Sequence, residues 1–239
     1  MTRKCSCPSV SQRIGQLCLM NQATTRTSPL PVSRGLNCLP GILIIDPMRT
    51  SSIEIRDLLI SWLVLGFCFA LVLFHTFSLD GFVIALTALG AGFICHELSH
   101  KFVAQKLGFQ AEFRLWQTGL IIALVCAFIS LYSPIGFLFA APGAVYILSY
   151  TSRRDGGLIG LAGPSANIVL ALVFYAVARF GSGFAVAVGT YGVIINLFLA
   201  AFNLLPIPPL DGSKIFAWNV PLWVVMMVIA AGLLVFFMV

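Results

Sequence analysis

From residue 58 to the end of the chain, apolar stretches recur with short polar breaks between them, at 58–77, 81–105, 118–132 with 135–150, 158–180, 184–202 and 221–239. A helix needs about 20 residues to cross the hydrocarbon core of a bilayer. Most of these stretches meet that length, which leaves lipid as the solvent for most of the molecule. Charge agrees: 9% of the 239 residues are charged and 59% are hydrophobic, against about 25% charged in soluble domains. So few charges do not cover a water-facing surface. The pattern predicts an all-α polytopic membrane protein of about six transmembrane helices. The pair 118–132 and 135–150, split at Ser133 and Pro134, is short for two full spans and fits a hairpin, a re-entrant element or a small membrane-embedded β element.

Residues 1–47 are different in kind, rich in Ser, Thr, Pro, Arg and Cys without periodicity. Their one apolar patch, "GILII", is too short for a signal-peptide core, and they read as a disordered or non-core extension ahead of a membrane domain at 48–239. The net charge of +6 is scattered and does not suggest a nucleic-acid partner. Instead Arg49, Arg56, Lys101, Lys106, Arg114, Arg153, Arg154 and Lys214 flank apolar segments. Under the positive-inside rule they put the N-terminus inside and the C-terminus outside, with Arg179 as the exception. The seven Cys form no CxxC pair, so neither a disulfide framework nor a cysteine metal site is indicated.

At the inner end of the second apolar stretch stands "HELSH", His96 to His100. Residues at i and i+4 share a helix face, so two imidazoles can bind one cation there. Imidazole suits zinc, whose catalytic sites use three protein ligands and keep one position open. Glu97, about 100° round the wheel, stands near the metal without being forced to ligate it, as a general base for water should. Such a pattern also arises by chance at a polar helix end. Yet the chain has three His in all, and two imidazoles with a carboxylate near membrane depth are costly unless they serve a function.

Three acidic residues beyond the motif could complete the set: Glu112, Asp155 and Asp211, all on the same predicted face. Glu112 near Arg114 and Asp155 after Arg153 and Arg154 read as solvated loops. Asp211 lies in "NLLPIPPLDGSK" (203–214), where three prolines end a helix and extend the chain and "LDG" suggests a tight turn. Alone this is an ordinary helix-terminating loop; beside a two-His site on the same face it becomes a ligand candidate. Asn203, eight residues earlier, could direct its amide toward a water or a developing oxyanion. In "GLAGPSANIVLAL" (160–172), Gly160, Gly163, Pro164 and Asn167 share a face, either a close-packing seam with Asn167 as polar glue or part of a site.

Taken together, HELSH, the GPSAN stretch and the Asn203–Asp211 stretch resemble the site-2 protease family of intramembrane zinc metalloproteases, over roughly 58–239, as a compact member without PDZ or CBS modules. The resemblance implies that His96, His100 and Asp211 bind one zinc ion and that Glu97 is the catalytic glutamate. It also implies that Asn203 and Asn167 support the transition state or substrate. The implied activity is regulated intramembrane proteolysis: peptide hydrolysis in a transmembrane protein substrate, in the cell membrane, at a site near the cytoplasmic face. A substrate helix must first be unwound, and its freed backbone groups need partners. An edge strand at 137–147 would supply them by strand addition. Two alternatives remain. A membrane metal transporter or permease would spread polar residues through several spans at mid-depth. Another class of membrane metalloprotease would take its third ligand from a glutamate on a later helix.

Overall fold

The computed structural model describes residues 50–76, 78–132 and 142–238; the extension at 1–47 and the first part of the 135–150 stretch lie outside them. The described residues form helices α1 (Ser52–Phe74), α2 (Leu79–Lys106), α3 (Gln117–Ser130), α4 (Arg153–Phe180), α5 (Phe184–Asn203), α6 (Asp211–Trp218) and α7 (Val220–Met238). Two strands, β1 (Ala111–Leu115) and β2 (Gly143–Ile147), pair antiparallel on either side of α3.

Five helices, α1, α2, α4, α5 and α7, are long and apolar enough to cross a membrane, so the chain is a multi-pass membrane protein. Of the readings open for the split pair at 118–150, the described residues carry the small β element in place of a sixth span. α3 has 14 residues, about 21 Å at 1.5 Å per residue, too short for a ~30 Å core. In the described part of 135–150, 143–147 is a strand rather than a helix. Its alternating burial, with Ala144 and Tyr146 outward and Val145 half-buried, has the period of two that a pleated strand requires.

Side chains on the helix surfaces are apolar where they face outward. Ile121, Val125 and Ile129 on α3, Val169 and Leu172 on α4, and Val228, Val235 and Phe236 on α7 are all exposed, as a lipid-facing surface should be. The principal core lies among α1, α2, α3, α5 and the sheet, around Leu65, Phe69, Leu89, Phe93, Phe113 and Ile195. Small residues let helices close on one another: a Cβ at Gly90 would lie 2.0 Å from Trp62 Nε1, and one at Gly192 would lie 2.3 Å from the Phe174 ring.

Charged groups bury where they are paired. Lys101, a predicted flanking charge, is wholly buried, with its Nζ 2.6 Å from Glu54 Oε2. Ser51 caps α1 by accepting from the Glu54 N–H at 3.1 Å. Glu112 and Arg114 pair with each other on β1 at 2.6 Å. Ser152 caps α4, accepting from the Asp155 N–H and donating to Asp155 Oδ2. These local roles occupy both of the acidic residues that competed with Asp211.

Candidate metal centre

Three elements converge on one point. α2 carries His96 and His100 a turn apart, their rings edge to face with centroids 4.6 Å apart. α6 begins at Asp211, whose Oδ2 lies 3.2 Å from His96 Nε2 and 2.9 Å from His100 Nε2. α4 runs beneath them with its small-residue face. One donor atom from each of the three residues falls within 4.8 Å of the others, and all three side chains are buried.

The loop between α5 and α6 explains how Asp211 gets there. The prolines end α5, but "LDG" is not the expected turn: Leu210 is extended and Asp211 opens a helix. Gly212 makes this possible, because a Cβ there would sit 2.0 Å from the Leu204 carbonyl oxygen. That carbonyl also accepts from Trp223 Nε1 at 2.7 Å, which ties the loop to α7.

Acceptors back both imidazoles. The Nδ1 of His100 faces the Ile159 carbonyl at 2.6 Å, so it must carry the proton there. The Nδ1 of His96 faces Asn167 Oδ1 at 2.5 Å. The orientation of the Asn167 amide is set by Asn196: Asn167 Nδ2 donates to Asn196 Oδ1 at 3.0 Å. Asn196 Nδ2 in turn donates to the Gly192 carbonyl at 2.8 Å and reaches that of Ala88 at 3.4 Å. In their neutral form both rings turn an Nε2 lone pair toward a carboxylate oxygen. Three acceptors aimed at one point are unfavourable unless a cation joins them, and two imidazoles with one carboxylate are a donor set that suits zinc. The residues fit the metal.

The carboxyl of Asp211 is tuned by opposing effects. Burial pushes it up, but His100 and His96, which donate to it when protonated, and the nearby Lys214 ammonium hold it well below the usual carboxylate range. Lys214 Nζ lies 2.9 Å from the second oxygen, Oδ1, which leaves Oδ2 as the oxygen turned to the two imidazoles.

α4 reaches this place through glycine. A Cβ at Gly163 would lie 2.5 Å from the Nε2 atoms of both His96 and His100, and one at Gly160 would lie 3.2 Å from the Asp211 carbonyl oxygen. The face that the sequence leaves as either a helix seam or part of a site is packed against the donor atoms. Asn167, expected at the substrate or transition state, lies fully buried behind His96. Its contacts orient the imidazole. Asn196, its partner, was missed as a site residue: spacing shows that it shares a face with Asn203 and does not show which helix that face meets.

A cavity of about 370 Å³ opens on the three donor residues. Glu97, Asn203 and Lys214 line it, with Phe93, Leu199 and Phe202 as apolar walls. The amide of Asn203 donates to its own helix at Leu199 O, 3.0 Å away, while the side chain borders the cavity. Strand β2 forms a further wall, with Pro142 before it and Gly143, Ala144, Val145 and Ile147. The register pairs Glu112 with Tyr146 and Arg114 with Ala144, and the flanking bonds Trp116 N–H to Pro142 O and Leu148 N–H to Gln110 O continue it. The backbone groups of Gly143, Val145 and Ile147 therefore point along the edge away from β1, and no third strand is paired there among the described residues.

Similar proteins were found among curated sequences. The chain is 42% identical over 193 residues to "Putative zinc metalloprotease MJ0611" of Methanocaldococcus jannaschii, covering 80% of this chain and 97% of that protein. It is 30% identical over 173 residues to "Putative zinc metalloprotease YwhC" of Bacillus subtilis, covering 62% and 74%. It is 31% identical over 142 residues to "Putative zinc metalloprotease Rip2" of Mycolicibacterium smegmatis, covering 55% of each. No protein-family model matches the chain, and no solved structure does.

Proposed function

Because the chain belongs to the zinc metalloprotease family of its Methanocaldococcus relative, we propose that it is an intramembrane zinc metalloprotease of the site-2 protease type. Its substrates would be transmembrane proteins, cut near the cytoplasmic face of the cell membrane. One observation carries this reading: two imidazole Nε2 atoms and a carboxylate oxygen converge in a cavity that also holds Glu97 and a strand edge without a partner strand among the described residues.

His96, His100 and Asp211 would hold zinc, which when bound supplies Lewis-acid chemistry, polarising a carbonyl oxygen and acidifying water. The chain's own residues do the rest. Glu97 takes a proton from the attacking water and returns it to the leaving amine, the part a carboxylate on the cavity wall can play for both steps. Asn203, bordering the same cavity, offers an amide for negative charge that develops on the carbonyl oxygen. The apolar walls exclude bulk water, while half-exposed Lys214 marks the side from which water enters. An unwound substrate segment would leave backbone groups unpaired at a cost of several kcal/mol each in lipid. The free edge of β2 answers that cost by accepting the segment as a third strand.

The transporter reading has less support, since the buried imidazoles converge with Asp211 on one point, while the other buried charges, Glu54, Asp57 and Lys101, are taken up in contacts between helices and β1. The test is zinc analysis of purified protein combined with cleavage of model transmembrane substrates in detergent. Glu97→Gln should retain one zinc per chain and lose cleavage by roughly 10²–10⁴-fold, the usual contribution of general acid–base catalysis. Full proteolysis by this variant would overturn the mechanism.

A further inference from the structure

The carboxylate of Glu54 has no part in the chemistry above, yet it is wholly buried and every contact it makes is specific. Its Oε2 takes the Lys101 ammonium at 2.6 Å, and that ammonium also donates to Thr50 Oγ1 at 3.0 Å. Its Oε1 accepts the backbone N–H of Phe113 on β1 at 3.1 Å. One turn along α1, Asp57 Oδ2 receives the Leu115 N–H at 3.4 Å. The inner edge of β1, which would otherwise lack partners, is therefore held by carboxylates of α1. The Phe113 ring packs edge-on against Phe93 of α2, centroids 5.7 Å apart.

Lys101 directly follows His100 in α2. One carboxylate thus joins the metal-bearing helix to the strand that carries β2. Replacing a buried ion pair by apolar residues is often neutral for stability, so stability alone does not account for this one. An apolar pair could not hold the Phe113 N–H, and a two-stranded sheet is marginal by itself. A sheet free to slide by one residue would present its opposite face, and a substrate strand added to β2 would slide with it.

We infer that Glu54 is a positioning residue: through Lys101 and β1 it sets the register at which an extended substrate on the β2 edge meets the metal centre. This rests on the protease reading above. The bond that is cut is then determined partly by a salt bridge on the far side of the sheet from the cavity.

The experiment compares wild type, Glu54→Gln and Asp57→Asn on one transmembrane substrate. Zinc content, thermal unfolding, kcat and KM per bound zinc, and the cleaved bond by mass spectrometry are all measured. Glu54→Gln is expected to bind zinc normally, keep KM within about threefold, lose at least tenfold in kcat per bound zinc, and release products from neighbouring bonds. A residue with a merely structural role would lower the amount of folded, loaded protein and leave kcat per zinc and the cleaved bond unchanged; that result would overturn the inference. If Glu54→Gln does not fold, Asp57→Asn decides, since it leaves the Glu54–Lys101 pair in place. A drop of about threefold in kcat with new minor products supports the role, and wild-type behaviour overturns it. Failure of the wild-type protein to cleave would instead remove the protease reading, before any variant is compared.

Discussion

The two walls of the cavity are built on opposite principles. On the metal wall, α2, α4 and α6 meet through glycines, and each candidate ligand has a partner behind it: Asn167 and Asn196 for His96, a backbone carbonyl for His100, Lys214 for Asp211. On the strand wall, one edge of a two-stranded sheet is tied down by α1 and the other has no strand partner among the described residues. The first wall has its geometry complete before anything binds, as a site that must hold a cation needs. The second carries backbone groups that another extended chain could pair. On the proposed function, the difference separates holding a metal from receiving a substrate, and variants on the two walls should fail differently.

The largest failure is expected at Asp211. Asp211→Ala removes one of three ligands and leaves two imidazole lone pairs without the carboxylate that closes the site. Zinc should fall well below one per chain, and cleavage should drop to background, as read by metal analysis and by the substrate assay together. Stoichiometric zinc in this variant would break the metal wall as described. Gly163→Ala comes next. Its added methyl would lie 2.5 Å from both Nε2 atoms, and α4 must shift or the rings must turn. Overpacking of this kind costs about 1–3 kcal/mol, so zinc affinity should weaken by roughly 10–100-fold at 1.4 kcal/mol per decade. The strand wall answers the other way. In Gly143→Ala the new Cβ would lie 2.3 Å from the Arg114 carbonyl oxygen and 2.6 Å from the Phe113 ring. The sheet should distort, with kcat/KM down about tenfold for an overpacking cost near 1.4 kcal/mol and zinc affinity unchanged. Equal loss of zinc in the Gly143 and Gly163 variants would erase the distinction between the walls.

How much of this could be read beforehand follows the same division. The spans were legible because lipid imposes length and apolarity on every crossing helix. HELSH was legible because its spacing is local to one helix. Asp211 was found by context, as an acid after a helix stop on the same face, although the turn expected there is a helix N-terminus. The strand wall was harder. "AEFRL" and "GAVYI" are five residues each and pair across α3, so their partner is a tertiary fact that neither segment announces. Their anchors were camouflaged as well. Glu54 looks like an ordinary first-turn acid after a capping serine, and Lys101 looks like a flanking charge of the positive-inside kind. The available signal was weak: a lysine directly after the second metal histidine, inside the helix. Asn167 was visible as the polar member of a glycine face, but the group it meets depends on which helix packs there.

The smallest effect tests how deep the metal wall extends. Asn196 touches neither the metal donors nor the cavity; it acts by holding the Asn167 amide with its oxygen toward His96 Nδ1. In Asn196→Leu the remaining partner of Asn167 Nδ2 is the Gly92 carbonyl at 3.4 Å, a weak hold. The amide can then turn its NH₂ toward the ring, and the imidazole responds by moving its proton to Nε2, the atom that must be bare to ligate. Partners one step behind a ligand typically contribute 10–100-fold to metal affinity. Asn196 stands two steps back, so about tenfold, the low end of that range, is the expected loss by competition with a chelator. Gly92 leaves room for the native amide, since a Cβ there would lie 2.6 Å from Asn196 Oδ1, so leucine also has little space, and folding must be checked by thermal unfolding. A folded Asn196→Leu protein with wild-type zinc affinity would confine the metal wall to Asn167. A tenfold loss with the cleaved bond unchanged would set it apart from Glu54, where the bond should move and the zinc should stay.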